Sequence, residues 1–134
     1  MKPLVKYQGG KSRELKTITK MMPQEFNRII EPFAGGAALS FHYGKPAVLC
    51  DTNWEVINLY WQISSNQGMR RILQYLDCMR GYDHDRLEET YYDSRNVINT
   101  PVDHEYNDGW ERAMSYITVR QLCFSGMELS LIHI

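Results

Sequence analysis

One stretch constrains this chain more than any other. Arg28-Ile29-Ile30-Glu31 is a short apolar run of strand type, stopped by Pro32 and followed by Phe33-Ala34-Gly35-Gly36. Ala37, Ala38, Leu39 and Phe41 then supply the apolar content of a helix. The paired glycines predict a sharp turn between strand and helix, and the small side chains let a ligand approach the backbone. The helix start adds unpaired N–H donors to that turn. Ala47-Val48-Leu49-Cys50 predicts a second, buried strand, ended by Asp51, 20 residues after Glu31. Strand, helix, strand and helix in this order predict a parallel sheet wound with helices. An acid at the end of the second strand is placed to accept both hydroxyls of a ribose. Alternatively, the glycines form only a tight turn and Asp51 only caps a helix.

The rest of the chain is increasingly helical. Leu15, Ile18 and Met22 recur at helical spacing after Gly9-Gly10, and Pro23 closes that segment. Asn53 is a candidate cap for a helix carrying Val56, Ile57, Tyr60 and Ile63 on one face. A further helix fits Met69, Ile72, Leu73, Leu76 and Met79, with Gly81 as its stop. Residues 88–98 and 110–124 also have helical character, separated by a loop over 101–109. The expected fold is α/β, a partial Rossmann-like domain over residues 1–64. A mostly helical segment over 65–128 starts a second subdomain.

Charge is unevenly placed although the totals nearly cancel, with 15 basic against 16 acidic side chains. Residues 1–30 carry seven basic and two acidic side chains, whereas residues 83–111 carry nine acids and two arginines. A basic amino-terminal face suits phosphate, although charge alone favours a solvated helix face. No apolar run approaches the roughly 20 residues of a membrane span, and no secretory signal opens the chain, so a cytoplasmic protein with no membrane partner is expected. Cys50, Cys78 and Cys123 lie far apart without a Cys-x-x-Cys pair, which argues against a disulfide framework or a metal site. Two nucleotide-binding motifs also fail. The dinucleotide fingerprint G-x-G-x-x-G does not fit Ala34-Gly35-Gly36-Ala37-Ala38-Leu39. Gly9-Gly10-Lys11-Ser12 ends like a phosphate-binding loop, but the first glycine of that motif falls on Val5.

Lys6-Tyr7-Gln8-Gly9-Gly10-Lys11, Glu31-Pro32-Phe33-Ala34-Gly35-Gly36, and Asp51-Thr52-Asn53 with Leu59-Tyr60 follow one another in a distinctive order. Tyr91-Tyr92, Arg95 and Asn99 come next, then Arg120-Gln121-Leu122-Cys123-Phe124-Ser125-Gly126-Met127. This succession resembles the adenine-specific DNA methyltransferases of the DNA adenine methylase family over nearly the whole chain. The resemblance implies a Rossmann-like domain that uses S-adenosylmethionine and acts on double-stranded DNA. Carried over position by position, it implies that Tyr7 packs near the cofactor and Lys11 lies beside it. It further implies that Phe33, Ala34, Gly35 and Gly36 line the methionine end and that Asp51 holds the ribose hydroxyls. Phe124, Ser125 and Met127 match the segment that approaches DNA near the target base, where an aromatic can wedge into the stack of an extruded base; plain helix packing is the other reading of Phe124. At Ala37 many members of the family have a third glycine, and a methyl group there is read as a mild change.

The family's catalytic signature, Asp/Asn-Pro-Pro-Tyr/Phe, is expected after the DNA-facing segment, and no Pro-Pro dipeptide occurs among Pro3, Pro23, Pro32, Pro46 and Pro101. No catalytic residue is therefore assigned, and the chain is expected to be an amino-terminal fragment without activity of its own. Residues 129–134 translate CTG TCT CTT ATA CAC ATC, which resembles a transposase-end adapter, and are set apart from the functional reading. The alternative function is a non-catalytic nucleotide- or nucleic-acid-binding domain built on the same glycine turn and basic amino terminus.

Overall fold

A computed structural model describes residues 2–101 and 109–123. A 3-10 turn over Lys11–Arg13 leads into α1 (Leu15–Met21), β1 (Ile29–Glu31), α2 (Ala38–Tyr43) and β2 (Ala47–Leu49). Four longer helices follow: α3 (Trp54–Ile63), α4 (Asn66–Met79), α5 (His84–Asn99) and α6 (Gly109–Leu122). The arrangement is mixed α/β, mostly helical, with a small parallel pair of strands.

β1 and β2 are parallel, with Ile29 opposite Ala47, Ile30 opposite Val48 and Glu31 opposite Leu49. The pairing continues past the strands: Cys50 N donates to Glu31 O at 2.9 Å and Ala34 N to Cys50 O at 2.8 Å. These bonds bring the turn after β1 beside the end of β2. The second strand is not buried as its composition suggests, since Ala47 and Val48 are exposed. Only one face of the pair is packed among the described residues; Ile30 and Val48 share the other, 62% and 46% exposed.

The helices are set by their caps and apolar faces. Asn53 Oδ1 accepts from Glu55 N at 3.0 Å and starts α3; Ser65 Oγ accepts from Gly68 N at 3.0 Å and starts α4. Asp83 Oδ1 accepts from Arg86 N at 2.9 Å, so α5 begins at His84, four residues before the expected 88. In the sequence that aspartate is one charge in an acidic stretch, and its capping role is concealed there. Val56, Leu59, Tyr60 and Ile63 of α3 are buried at helical spacing against Ala113, Tyr116 and Ile117 of α6. α6 is buried nearly all round, because Val119 and Cys123 pack on its other side against Tyr91 of α5. Val5, Ala34 and Ala37 join the same core as Ile72 of α4 and the α6 residues, so one core serves chain on both sides of residue 64.

A largely buried ion pair pins the helical part. Arg112 of α6 donates through Nε and an Nη nitrogen to Glu55 Oε1 of α3. Its Nη nitrogens also reach carbonyls at the end of α5, those of Val97 and Ile98 at 3.1 and 3.2 Å and that of Thr100 at 3.0 Å. No helix among the described residues is long and apolar enough to cross a membrane.

Candidate cofactor site

The turn after β1 passes through left-handed backbone twice, at Gly35 (φ +47°) and at Ala37 (φ +49°). Glycine adopts this conformation freely; alanine pays about 1–2 kcal/mol for it. Ala37 is fully buried and its amide donates to Ala34 O at 2.6 Å, so the surroundings impose the strain. The methyl group at this position is therefore not the mild change that its size alone implies.

Both ends of Gly35 are fixed by side chains from other elements. Its N–H donates to Asp51 Oδ2 at 2.8 Å. Its carbonyl accepts from the Tyr60 hydroxyl at 2.6 Å. Burial, followed by the influence of Tyr116, Glu31, Tyr7 and Asp51, holds the Tyr60 phenol well above its ordinary range, so it remains a donor. The second oxygen of Asp51, Oδ1, accepts from Asn53 N at 2.9 Å. Asp51 thus links the β1 turn, the end of β2 and the cap of α3 in one carboxylate. Glu31 does similar work one turn away, its Oε1 accepting from Ser40 N at 2.9 Å and Ser40 Oγ at 2.5 Å.

The amino-terminal segment covers this turn. Tyr7 O accepts from Gly10 N at 3.0 Å, closing a tight turn that brings the Tyr7 ring over the glycines. A Cβ at Gly35 would lie 3.0 Å from Tyr7 Cδ1, and one at Gly36 3.4 Å from Tyr7 Cβ. The ring occupies the space that a side chain would take. A cavity of about 160 Å³ lies here, lined by Tyr7, Lys11, Phe33, Ala34, Gly35, Gly36 and Asp51, together with Glu31 and others. An adjoining groove of about 590 Å³ shares Tyr7, Gly10, Gly36 and Ala38 with it and adds Lys2, Lys6, Arg13 and His42.

All seven cofactor-site residues singled out in the sequence therefore meet at one cavity, but in unequal roles. Phe33 is 89% exposed and stands at the rim. Lys11 pairs with Glu14 at 3.6 Å, so its charge is partly directed along its own turn. Phe124, Ser125 and Met127 lie outside the described residues. Sequence reasoning missed the part played by Tyr60. Its signals are its place in the Leu59-Tyr60 motif and a phenol on a helix face where Val56 and Ile63 show that hydrocarbon suffices. It also missed Arg120, whose guanidinium carbon lies 4.7 Å from the Tyr7 ring centroid. Among the described residues, no three His, Cys, Asp or Glu side chains gather as metal ligands.

A glycine turn at the carboxyl end of one parallel strand, with an acid at the end of its neighbour, defines an α/β protein with a cavity at its strand ends. The family model for D12 class N6 adenine-specific DNA methyltransferases matches residues 7–131, and the chain belongs to that family. Its sequence is 36% identical over 130 residues to the type II methyltransferase M.CviBI of Paramecium bursaria Chlorella virus NC1A, covering 95% of this chain and 45% of that one. It is 34% identical over 97 residues to the type II methyltransferase M1.LlaDCHI of Lactococcus lactis subsp. cremoris, covering 72% and 32%. With the DNA adenine methylase of Haemophilus influenzae it shares 27% identity over 130 residues, covering 94% and 42%. The chain spans less than half the length of these curated relatives.

Proposed function

We propose that this chain forms the cofactor-binding part of a DNA adenine methyltransferase, and that the crevice between Tyr7, the Gly35-Gly36 turn and Asp51 takes S-adenosylmethionine. The observation that carries this reading is the double fixation of Gly35 by Asp51 and Tyr60 beneath a covering aromatic ring. Asp51 spends one acceptor site of each oxygen on a backbone amide. A carboxylate oxygen has two, so one on each remains for a ribose hydroxyl. The absence of side chains at Gly35 and Gly36 lets the Tyr7 ring lie against the turn and form one wall of the crevice.

S-adenosylmethionine, when bound, supplies an activated methyl group on a sulfonium centre. The residues here bind and orient rather than react. Asp51 orients the sugar, Tyr60 keeps the turn from shifting, and Tyr7 shields the site from water. Alignment of this kind supplies a large share of a transfer barrier. The acceptor in this proposal is the exocyclic amine of an adenine extruded from double-stranded DNA. Residues 1–64 serve the cofactor; residues 65–128 lead into target recognition, with Phe124, Ser125 and Met127 facing DNA. Such a protein works where DNA is accessible, in the cytoplasm.

These 134 residues hold no Pro-Pro dipeptide, so the groups that grip the target amine in the family are not among them. Binding without turnover is the corresponding expectation for this chain. Ultraviolet crosslinking with methyl-labelled S-adenosylmethionine tests the proposal. Label on peptides containing Tyr7 or Phe33, displaced by unlabelled S-adenosylhomocysteine, supports it. Label spread over the surface and resistant to that competitor contradicts it and favours a general nucleotide- or nucleic-acid-binding domain.

A further inference from the structure

The last turn of α6 grips the segment that bears Tyr7. Gln121 Nε2 donates to the Leu4 carbonyl at 2.6 Å, and Lys6 Nζ donates to the Gln121 carbonyl at 3.1 Å. Beside these contacts stands Arg120, 5% exposed. Its guanidinium carbon is 4.7 Å from the Tyr7 ring centroid and 5.1 Å from that of Tyr116, whose hydroxyl accepts from Arg120 Nε at 2.9 Å. A cation over an aromatic face is attracted by the negative ring quadrupole, more strongly when it is desolvated. The same Tyr7 ring presses on the turn, within 3.0 Å of where a Gly35 Cβ would stand. Arg120, Tyr7 and Gly35 therefore form a continuous contact between the end of α6 and the cofactor crevice.

We propose that Arg120 is a positioning residue for that crevice, fixing the Tyr7 ring over the Gly35-Gly36 turn. The inference rests on the S-adenosylmethionine reading above for its functional consequence, though not for the contact itself. It gives the end of α6 a direct hold on cofactor binding.

A purely structural role, in which Arg120 only satisfies Tyr116, makes different forecasts. Amide resonances of Gly35 and Gly36 report the Tyr7 ring current without any ligand. Arg120→Met should move both toward their positions in Tyr7→Leu, while Arg120→Lys, which keeps the cation, and Tyr116→Phe leave them near wild type. Calorimetry with S-adenosylmethionine should then show affinity about tenfold weaker in Arg120→Met, largely restored in Arg120→Lys. In a Tyr7→Leu background the same change should cost less than about twofold, because the ring it acts through is gone. If Arg120→Met does not fold, Arg120→Gln, which keeps a donor for Tyr116 but no charge, takes its place with the same expectations. Unmoved Gly35 and Gly36 resonances, or full additivity with Tyr7→Leu, overturn the proposal. Wild-type protein that binds no S-adenosylmethionine overturns the cofactor reading instead, and the ligand-free resonances still decide the role of Arg120.

Discussion

The carboxylate of Asp51 holds the amide of Gly35 at 2.8 Å, joining the end of the second strand to the turn that follows the first. The ribose-binding acid of the proposal is thus also a brace for the backbone on which the cofactor would rest. The two duties separate experimentally. Asp51→Ala leaves the Gly35 and Asn53 amides without their acceptor and should lower unfolding free energy by about 1–3 kcal/mol. Denaturant titration of the unliganded protein measures this; an unchanged midpoint would remove the bracing role.

Gly35→Ala should be worse for binding than for folding. The new methyl meets left-handed backbone, costing about 1–2 kcal/mol, and stands 3.0 Å from the Tyr7 ring. The ring is the part that can move. Near-ultraviolet circular dichroism should report a displaced tyrosine while the helical signal persists. Loss of both signals together would mean that the turn is a folding element first.

Much of this site was legible in the sequence because its parts are local. Proline, paired glycines and a strand-ending acid announce a turn and its partner within about 20 residues, and the order of motifs points to the family. Strand order, helix existence and the Asn53 cap followed from the same short-range chemistry. What escaped was set by distant packing. Arg112 meets Glu55 across 57 residues, and Arg120 reaches back to Tyr7 only after α6 has docked. No local pattern marks an arginine as buried. The exposed face of β2 escaped for a related reason: composition gives hydrophobicity, and only tertiary contacts decide what covers it.

Stability should decline in alkali through Tyr60. Burial raises its phenol above the unfolded value near 10, so its contribution is complete below about pH 10 and fades as pH rises beyond it. Tyr75, also raised by burial, adds to the same decline. Tyr60→Phe should lose about 1–3 kcal/mol at neutral pH, since the Gly35 carbonyl loses its donor. It should also fall less steeply between pH 9 and 11. Parallel curves for the two proteins would show that Tyr60 is not the titrating group.

Ile30 and Val48 face each other across the parallel pair and are both largely exposed. Thr retains strand preference at such sites without the apolar surface. Ile30→Thr with Val48→Thr should raise the concentration at which the chain remains monomeric and change unfolding free energy by less than about 1 kcal/mol. Light scattering against concentration tests this. A large loss of stability would mean that the face is covered in solution.

The central claim is that S-adenosylmethionine binds at the Gly35 turn through Asp51. Isothermal titration of wild type and Asp51→Ala tests it most directly, with thermal melts confirming that both are folded at the temperature used. The account predicts one site per chain in wild type and affinity weakened roughly 10–150-fold in Asp51→Ala, the worth of a hydrogen bond to a charged group. Equal affinity in the two folded proteins would contradict it.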